Sequence, residues 1–257
     1  MTPSSSCSNN GFRTECLSSN ETIPSELSLS IVIMAFNEEE NLPLAAQQAI
    51  AFLEEVTEQW QLIIVNDGST DGTANVADSI RAQDPSRIDI VHHPENLGMG
   101  AAIRNGYAIA RCEWVTQLPA DCQVHPDMFR RFLPKMVDAE IILSVYADRD
   151  DGFTRKLLSA GFQTTVRLLL GHRGDFTGTM VFHRVLLERV PPIQSDTFFA
   201  NMEFPILALR AGAKSAVVQI EAQQRHSGES KVKNLRRISR VLGEVVKMRL
   251  RLWRGTQ

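Results

Sequence analysis

The sequence lacks long uncharged stretches and is poor in cysteine. No run of 18 residues is free of Asp, Glu, Lys and Arg, so a transmembrane helix is not expected. The N-terminus also lacks a basic segment followed by an apolar core, which argues against a secretory signal. The four cysteines, Cys7, Cys16, Cys112 and Cys122, match no zinc-binding spacing. Together these absences predict a cytoplasmic protein with free thiols.

The chain also lacks internal repeats and any recognised nucleic-acid-binding motif, although its charge is unevenly distributed. From residue 231 to the C-terminus there are nine basic residues and one acidic residue, a net charge of +8. The rest of the chain therefore carries −11, which gives the overall charge of −3. A basic tail on an acidic body favours contact with a phosphate-rich partner or surface, and without a motif it does not indicate a nucleic acid.

The hydrophobic pattern predicts a single α/β domain between two segments of different composition. Residues 1–26 are rich in Ser, Asn and Thr without a hydrophobic period, which is typical of a disordered tail. Residues 27–231 favour a doubly wound, mostly parallel sheet flanked by helices, and residues 232–257 favour a basic amphipathic helix. The predicted strands are 29–35, 62–66, 88–92, 114–118, 140–147, 179–183 and 215–220, and the predicted helices are 39–56, 73–81, 98–110, 126–137, 154–170 and 201–211.

The segment 65–73, with the sequence VNDGSTDGT, is the most informative part of the chain. It follows an apolar run that predicts a buried parallel strand, and its Asp-Gly turn ends that strand. Residues 69–71 are suited to cap the helix that follows. Asp67 is thus predicted at the carboxyl end of a parallel strand, where open α/β sheets bind ligands, and its carboxylate suits a nucleobase N–H or a ribose hydroxyl. A well-capped turn without a ligand is equally compatible with the segment.

Two other predicted strands end in residues of similar chemistry. The first ends in residues 35–38 (AFNE), where Phe36 provides a stacking face and Glu38 provides acceptors for base N–H groups. Glu38 also suits a helix N-terminus, which is its alternative role. The fourth strand ends just before Asp121, whose carboxylate can ligate a divalent metal on a diphosphate or cap the next helix.

Three ordered motifs make the chain similar to the family 2 glycosyltransferases, which have the GT-A fold. They are residues 31–38 (IVIMAFNE), 65–73 (VNDGSTDGT) and 96–106 (NLGMGAAIRNG). The resemblance runs from about residue 27 to residue 231 and is closest to the polyprenyl-phosphate sugar synthases, such as dolichyl-phosphate mannose synthase. It implies that a nucleoside diphosphate sugar binds at residues Ala35, Phe36, Glu38 and Asp67, with Gly98 and Arg104 at the edge of the site.

The metal motif implied by this resemblance is incomplete. The family pattern is Asp-x-Asp followed by x-Gln, and the chain reads PADCQ over residues 119–123, so that Pro119 replaces the first aspartate. Proline offers no side-chain ligand, whereas Asp121 and Gln123 match the remaining positions. We therefore expect Mg²⁺ or Mn²⁺ to be held weakly, by Asp121, Gln123 and the donor diphosphate.

The resemblance extends into the second half of the chain, where it implies residues for catalysis and phosphate binding. Residues 174–178 (GDFTG) and 225–231 (RHSGESK) resemble synthase segments with basic and small residues around a diphosphate. Glu203 is a candidate general base if the acceptor is a hydroxyl, and helix capping is its alternative role. The implied catalytic residues are Asp121, Glu203, Arg225 and Lys231, and the implied acceptor or phosphate residues are Arg155, Arg167, Asp175 and Ser230.

The tail, residues 232–257, places apolar residues at helical spacing among basic residues, with Trp253 near its end. A helix of this kind suits an anionic membrane, which predicts peripheral contact with the cytoplasmic membrane face. Docking on the protein core with a solvated basic face is the alternative.

The sequence therefore predicts an inverting glycosyltransferase that moves a sugar from a nucleoside diphosphate sugar to an acceptor. The resemblance favours polyprenyl phosphate as that acceptor. A soluble or glycan hydroxyl is an alternative acceptor, and a catalytically inactive nucleotide-sugar-binding protein is a further alternative, which Pro119 supports.

Overall fold

The computed structural model describes residues 26–146, 164, 166, 169–170, 178–220 and 235–254, without the side chains of 235–238 and 254. Seven strands in this part of the chain form one sheet in the order β3-β2-β1-β4-β6-β5-β7. The strands are β1 (Ser28–Ala35), β2 (Gln59–Asn66), β3 (Ile88–His92), β4 (Trp114–Pro119), β5 (Ile141–Tyr146), β6 (Met180–His183) and β7 (Ser215–Ile220).

Helices lie on both faces of the sheet. The described α-helices are α1 (Leu42–Val56), α2 (Thr73–Arg81), α3 (Met99–Ala108), α4 (Leu186–Arg189), α5 (Ala200–Arg210) and α6 (Leu235–Arg254). None of the helices in the described ranges is both long and apolar enough to cross a membrane.

The sheet is mostly parallel, as predicted. Strands β1, β2, β3 and β4 pair in parallel, and β5 pairs in parallel with β7. Strand β6 runs antiparallel to both of its neighbours, β4 and β5. The parallel half therefore presents the carboxyl ends of β1, β2 and β4 side by side at one edge of the sheet, where the predicted site residues follow.

Two hydrophobic clusters cover the two faces of this sheet, because successive strand residues point in opposite directions. Ile31 and Ile33 pack in the cluster beneath α1 and α2, whereas Val32 between them packs in the cluster beneath α3, α5 and α6. The inner strands β1 and β2 thus bury both faces, which explains their continuous apolar runs, whereas the edge strand β3 is only partly buried. The doubly wound arrangement is confirmed.

The segment 126–137 is helical, as predicted, but it is not one continuous helix. The structure has two 3₁₀ stretches there, Pro126–Arg131 and Leu133–Val137. Pro134 has no N–H to give to an α-helical bond, and the backbone instead makes tighter bonds between residues three apart, such as Phe132 N to Phe129 O at 2.9 Å. Phe129 and Phe132 are buried, so hydrophobic packing accounts for the apolar period that suggested an α-helix.

Other differences are smaller. The helix predicted from residue 39 begins at Leu42, with Pro43 in its first turn. The short helix α4 was not predicted, because four residues are too few for a hydrophobic period. Most of the helix predicted over 154–170 lies outside the described residues. The division of the chain at residues 26 and 231 stays a prediction.

Candidate active site

The turns that follow β1 and β2 are joined to each other by hydrogen bonds. Asn37 N donates to Ser69 Oγ at 3.0 Å, and Thr70 N donates to Asn37 Oδ1 at 2.8 Å. Glu39 Oε2 accepts from Gly72 N at 2.6 Å and so caps the start of α2 from the neighbouring turn. These contacts hold the two turns as one rigid rim along the carboxyl edge of the sheet.

Asp71 provides a second cap for α2. Its Oδ1 accepts from Thr73 N at 3.0 Å and from Thr73 Oγ1 at 2.5 Å. Partial desolvation raises the pKa of Asp71, but the hydrogen bonds from Thr73 and from the Glu39 backbone outweigh it, so that the pKa is lowered overall. The predicted capping role is seen for Asp71, whereas Ser69 and Thr70 instead contact Asn37.

Asp67 is the buried carboxylate of this rim and is 5% exposed. Its Oδ1 accepts from Leu97 N at 2.9 Å, and its Oδ2 accepts from Gly98 N at 3.0 Å. His93 Nδ1 lies 2.7 Å from the same Oδ1. The carboxylate therefore holds the turn after β3 against the end of β2, which places residues 93–98 beside the rim.

A hydrogen-bonded chain continues behind Asp67. Because a carboxylate only accepts, His93 Nδ1 must be the donor, and Nε2 is then free to accept from Asn105 Nδ2 at 2.8 Å. Asn105 lies on α3, so this chain ties the helix to the carboxylate. The third motif covers residues 96–106. His93 lies outside all three motifs, so no role was predicted for it.

Gly98 combines two requirements that only glycine meets here. Its φ of +93° is in the region that other residues avoid, and a Cβ would lie 2.5 Å from Asp196 O. At Gly98, which the resemblance implies at the edge of the donor site, the turn after β3 therefore comes close to the segment before α5.

Phe36 and Glu38 follow β1 at the outer side of the rim. Ala35 is buried, whereas Phe36 is 39% exposed, and an exposed aromatic ring suits a flat ligand. Glu38 is half-buried; its Oε2 accepts from Asn41 Nδ2 at 2.8 Å, and its backbone N donates to Thr73 Oγ1 at 2.9 Å.

Asp121 and Gln123 follow β4 and contact each other. Asp121 Oδ1 accepts from Gln123 N at 3.1 Å, and Oδ2 accepts from Gln123 Nε2 at 2.5 Å. Between them, burial raises the pKa of the Cys122 thiol, and the charges of Asp121 and Glu38 raise it further. Cys122 Sγ also lies 3.7 Å from Asn41 O, so the turns after β1 and β4 lie side by side and form one acidic edge.

Backbone strain lies on the same edge. Asn37 and Cys122 are the non-glycine residues with positive φ among those described, each at 55°. One lies in the turn after β1 and the other in the turn after β4. Conformations of this kind cost free energy, persist only where the surroundings hold them, and concentrate at ligand sites.

The residues present fit a divalent cation only if substrate phosphates and water supply the remaining ligands. Asp121 supplies one carboxylate, and the amide oxygen of Gln123 is a suitable hard ligand beside it. Within the described ranges, no group of three His, Cys, Asp or Glu side chains is arranged to hold a metal ion. Mg²⁺ commonly takes one or two protein carboxylates and completes its shell from substrate phosphates and water, which matches this donor set.

Arg104, implied at the edge of the donor site, contacts the segment before α5. Its guanidinium donates to Ser195 O and to Asp196 Oδ1, both at 2.7 Å. Asp196 O in turn accepts from Gly100 N at 3.1 Å. Arg104 therefore joins α3 to residues 195–196 and leaves about a third of its side chain exposed.

Glu203, the candidate general base, is fully buried on α5. Its carboxylate accepts from Gln194 N at 3.2 Å and from Ser195 N at 2.8 Å. Arg251 of α6 donates to Glu203 Oε1 at 2.5 Å. The carboxylate thus holds the segment before α5 and pairs with the last turn of α6, contacts that no local pattern indicated because Arg251 is 48 residues away.

A second contact from α6 reaches the same segment. Glu244 accepts from Asp196 N at 3.1 Å and from the Thr197 hydroxyl. Val241, Val245 and Met248 of α6 are buried in the cluster beneath the sheet. The alternative in which the tail docks on the core is therefore seen for one face of α6.

Near the middle of the sheet, a polar group links β4 to α5. Tyr107 OH donates to Gln117 Oε1 at 2.8 Å, and Gln117 Nε2 donates to Asn201 Oδ1. Burial raises the pKa of the Tyr107 phenol, which keeps its proton on the oxygen for this bond. Neither Gln117 nor Asn201 was assigned a role from the sequence, because their contact joins residues 84 positions apart in the chain.

Six of the implied site residues lie outside the described residues, so their positions stay predictions. They are Arg155, Arg167, Asp175, Arg225, Ser230 and Lys231.

Comparison with known proteins identifies relatives with related activities. The chain is 27% identical over 214 residues to an undecaprenyl-phosphate 4-deoxy-4-formamido-L-arabinose transferase of Pectobacterium carotovorum, covering 82% of this chain and 64% of that protein. It is 29% identical over 223 residues to a polyprenol monophosphomannose synthase of Mycolicibacterium smegmatis, covering 79% of this chain and 80% of that protein.

Solved structures share the fold. Mannosyl-3-phosphoglycerate synthase from Rubrobacter xylanophilus superposes with a TM-score of 0.65 at 22% identity, covering 90% of this chain and 75% of that chain. Glucosyl-3-phosphoglycerate synthase from Mycobacterium tuberculosis, in complex with Mn²⁺, uridine diphosphate and phosphoglyceric acid, superposes with a TM-score of 0.63 at 17% identity, covering 86% and 77%.

The chain spans 62% to 64% of the length of four arabinose transferases that it matches.

A family model matches most of the chain. The model of glycosyl transferase family 2 matches residues 30–190, which include the turns after β1, β2, β3 and β4 described above. The chain therefore belongs to glycosyl transferase family 2.

Proposed function

We propose that this protein is an inverting glycosyltransferase that moves a sugar from a nucleoside diphosphate sugar to a polyprenyl phosphate. The proposal depends most on one observation, the buried carboxylate of Asp67 at the carboxyl edge of a parallel sheet between the turns after β2 and β3. The family membership and the names of the relatives support the reaction class and the lipid phosphate acceptor.

Donor recognition is assigned to the rim. The exposed Phe36 ring provides a stacking face for the base, and Glu38 provides an acceptor beside it. Oδ2 of Asp67 accepts a single hydrogen bond from the described residues, which leaves an acceptor position for a base N–H or a ribose hydroxyl. Asp67 thus both shapes the turn that borders the donor and contacts the donor itself.

The diphosphate is assigned to the acidic edge after β4. Asp121 and the Gln123 amide oxygen would hold Mg²⁺ or Mn²⁺, which neutralises charge on the leaving nucleoside diphosphate. Arg225 and Lys231, from the motif that resembles the synthase loop, are proposed to offset the same charge. Arg155, Arg167, Asp175 and Ser230 are proposed to bind the acceptor or its phosphate.

The chemistry of Glu203 favours a phosphate acceptor over a hydroxyl. A hydroxyl needs a general base within reach, whereas a phosphate oxygen is already anionic and attacks the anomeric carbon without one. Glu203 is fully buried, and its two oxygens accept from two backbone amides and from Arg251. A carboxylate engaged in this way is suited to hold structure rather than to take a proton from substrate.

The test is nucleotide release from UDP- and GDP-sugars with polyprenyl phosphate, with and without Mg²⁺ or Mn²⁺. We expect release that requires both lipid and metal. Asp121→Asn is expected to lower the rate of release about a hundredfold, because it removes the carboxylate charge that would hold the metal at the diphosphate. Asp127→Asn is the matched control, since Asp127 is an exposed aspartate close by in the chain and outside the site. It is expected to keep full activity.

A nucleotide-sugar-binding protein without catalysis is the second candidate, because Pro119 occupies the position of the first metal-binding aspartate. Donor binding by calorimetry with no release for any sugar, lipid and metal combination would contradict the transferase proposal and favour this one.

A further inference from the structure

Helix α6 has two apolar faces, and only one of them lies on the core. Val241, Val245 and Met248 are buried, as expected for residues three and four apart on one face. A second set has the same spacing but is exposed by 37% to 60%: Leu242, Val246, Leu250 and Trp253. A helix that only docks on its own protein needs one apolar stripe, so the second stripe requires another explanation.

The orientation of α6 is set by polar contacts, not by the buried stripe alone. Glu244 accepts from Asp196 N and Arg251 donates to the buried Glu203. These anchors stand nearly two turns apart along the helix and prevent it from rolling about its axis. The exposed stripe, Leu242, Val246, Leu250 and Trp253, is therefore directed away from the core by the folded structure itself.

Basic residues border the exposed stripe on both sides. Arg240 and Lys247 are seven residues apart and run along one side, and Arg249 lies on the other. All three are exposed. An apolar strip with cations on both sides and tryptophan near one end matches a surface that has an apolar interior beneath an anionic layer.

We propose that this outer face of α6 binds an anionic lipid surface. The inference rests on the proposed function, because a polyprenyl phosphate acceptor resides in a membrane, and it names the surface that brings the enzyme to that acceptor. Charge argues against a second copy of the chain as the occupant. Two copies related by a twofold axis would bring Arg240, Lys247 and Arg249 against the same cations.

The experiment uses the full chain with vesicles of phosphatidylcholine alone and vesicles in which a third of the lipid is phosphatidylglycerol. Trp60 and Trp114 are buried in the core, whereas Trp253 is 60% exposed, so quenching by bromine-labelled acyl chains reports on Trp253. We expect quenching with the anionic vesicles only, and its loss in Trp253→Phe while the protein still sediments with the vesicles.

A pair of charge reversals tests the cations that border the exposed stripe. Lys247→Glu with Arg249→Glu is expected to weaken binding to the anionic vesicles by about a hundredfold, because each basic residue near such a surface contributes roughly fivefold and its reversal adds repulsion. Arg81→Glu with Lys135→Glu is the matched control, since it makes the same change of net charge at exposed positions on other elements. It is expected to weaken binding by no more than about threefold through long-range attraction alone.

Equal loss of vesicle binding in both pairs would indicate that net charge alone drives binding. No quenching of Trp253 would indicate that a second copy or another part of the chain covers the stripe. Either result would overturn the proposal. Transfer to polyprenyl phosphate dissolved in detergent separates this result from the proposed function. The α6 reversal pair is expected to keep that activity, whereas failure of transfer in the unmodified protein would instead contradict the transferase proposal.

Discussion

Two buried carboxylates, Asp67 and Glu203, have nearly the same hydrogen-bonding pattern in different parts of the fold. Each accepts from the backbone amides of two consecutive residues and from one basic side chain, His93 for Asp67 and Arg251 for Glu203. Each therefore fixes a short segment of backbone. The geometry alone does not distinguish a ligand-binding carboxylate from a structural one.

The difference lies in what surrounds each carboxylate. Asp67 follows a parallel strand at the open edge of the sheet and keeps an acceptor position on Oδ2. Glu203 lies within α5, is fully buried and pairs with a helix from the end of the chain. A carboxylate at a strand end can serve both the fold and a ligand, whereas the same pattern within the core serves the fold.

The segments held by the two carboxylates touch each other. Gly100 N donates to Asp196 O, and Arg104 bridges α3 to Ser195 and Asp196. A change at either carboxylate can thus reach the other through residues 98–104 and 194–196. The following predictions separate their roles.

The largest effect is expected from breaking the buried ion pair. Arg251→Met leaves the Glu203 carboxylate buried without its cation, which should lower the free energy of unfolding by about 4 kcal/mol in urea denaturation. Glu203→Gln should cost less, about 2 kcal/mol, because the Arg251 side chain is partly exposed and can turn towards water. If the two substitutions lowered stability equally, or if Glu203→Gln lowered it more, the ion pair would not be the source of the stability.

The second effect concerns the contact between the two segments. In Gly100→Ala the added Cβ would lie 1.8 Å from Ser195 O, so the backbone of one segment must move. We expect a loss of about 3 kcal/mol in stability together with weaker donor binding, measured by urea denaturation and calorimetry. Gly243→Ala is the control, since a Cβ at that helical glycine meets nothing within 4 Å, and it should not destabilise the protein.

The smallest effect on stability, but a specific effect on ligand binding, is expected from Asp67→Asn. The amide retains one acceptor oxygen and loses charge-assisted bonds, which should cost about 2 kcal/mol in stability and weaken nucleotide binding about tenfold. Calorimetry with UDP and GDP measures the affinity. Asp84→Asn is the matched control, because Asp84 also accepts from two backbone amides but lies in an exposed turn remote from the rim.

The contrast between the two carboxylates would be lost if Arg251→Met weakened nucleotide binding as much as Asp67→Asn does. It would be sharpened if Arg251→Met changed only stability and Asp67→Asn changed affinity more than stability. The first outcome would make the contact through Gly100 and Arg104 the dominant feature of the site.

The parts of the fold that were predictable are those specified by neighbouring residues. Helix α2 and strands β3 and β7 have the predicted bounds, because an apolar period and polar turn residues define each of them. A helix over 126–137 was predictable from the period of its buried phenylalanines, but its division into two 3₁₀ stretches was not, because Pro134 changes the hydrogen bonds.

The candidate site divides in the same way. The sequence by itself determined the order of the seven strands along the chain and the chemistry at the strand ends, since a buried strand and its turn are local features of the chain. Only the tertiary structure decided that Glu39 caps α2, that His93 supports Asp67 and that Glu203 pairs with Arg251. Those partners are brought together by the packing of elements distant in sequence, and no local spacing encodes a contact over 48 residues.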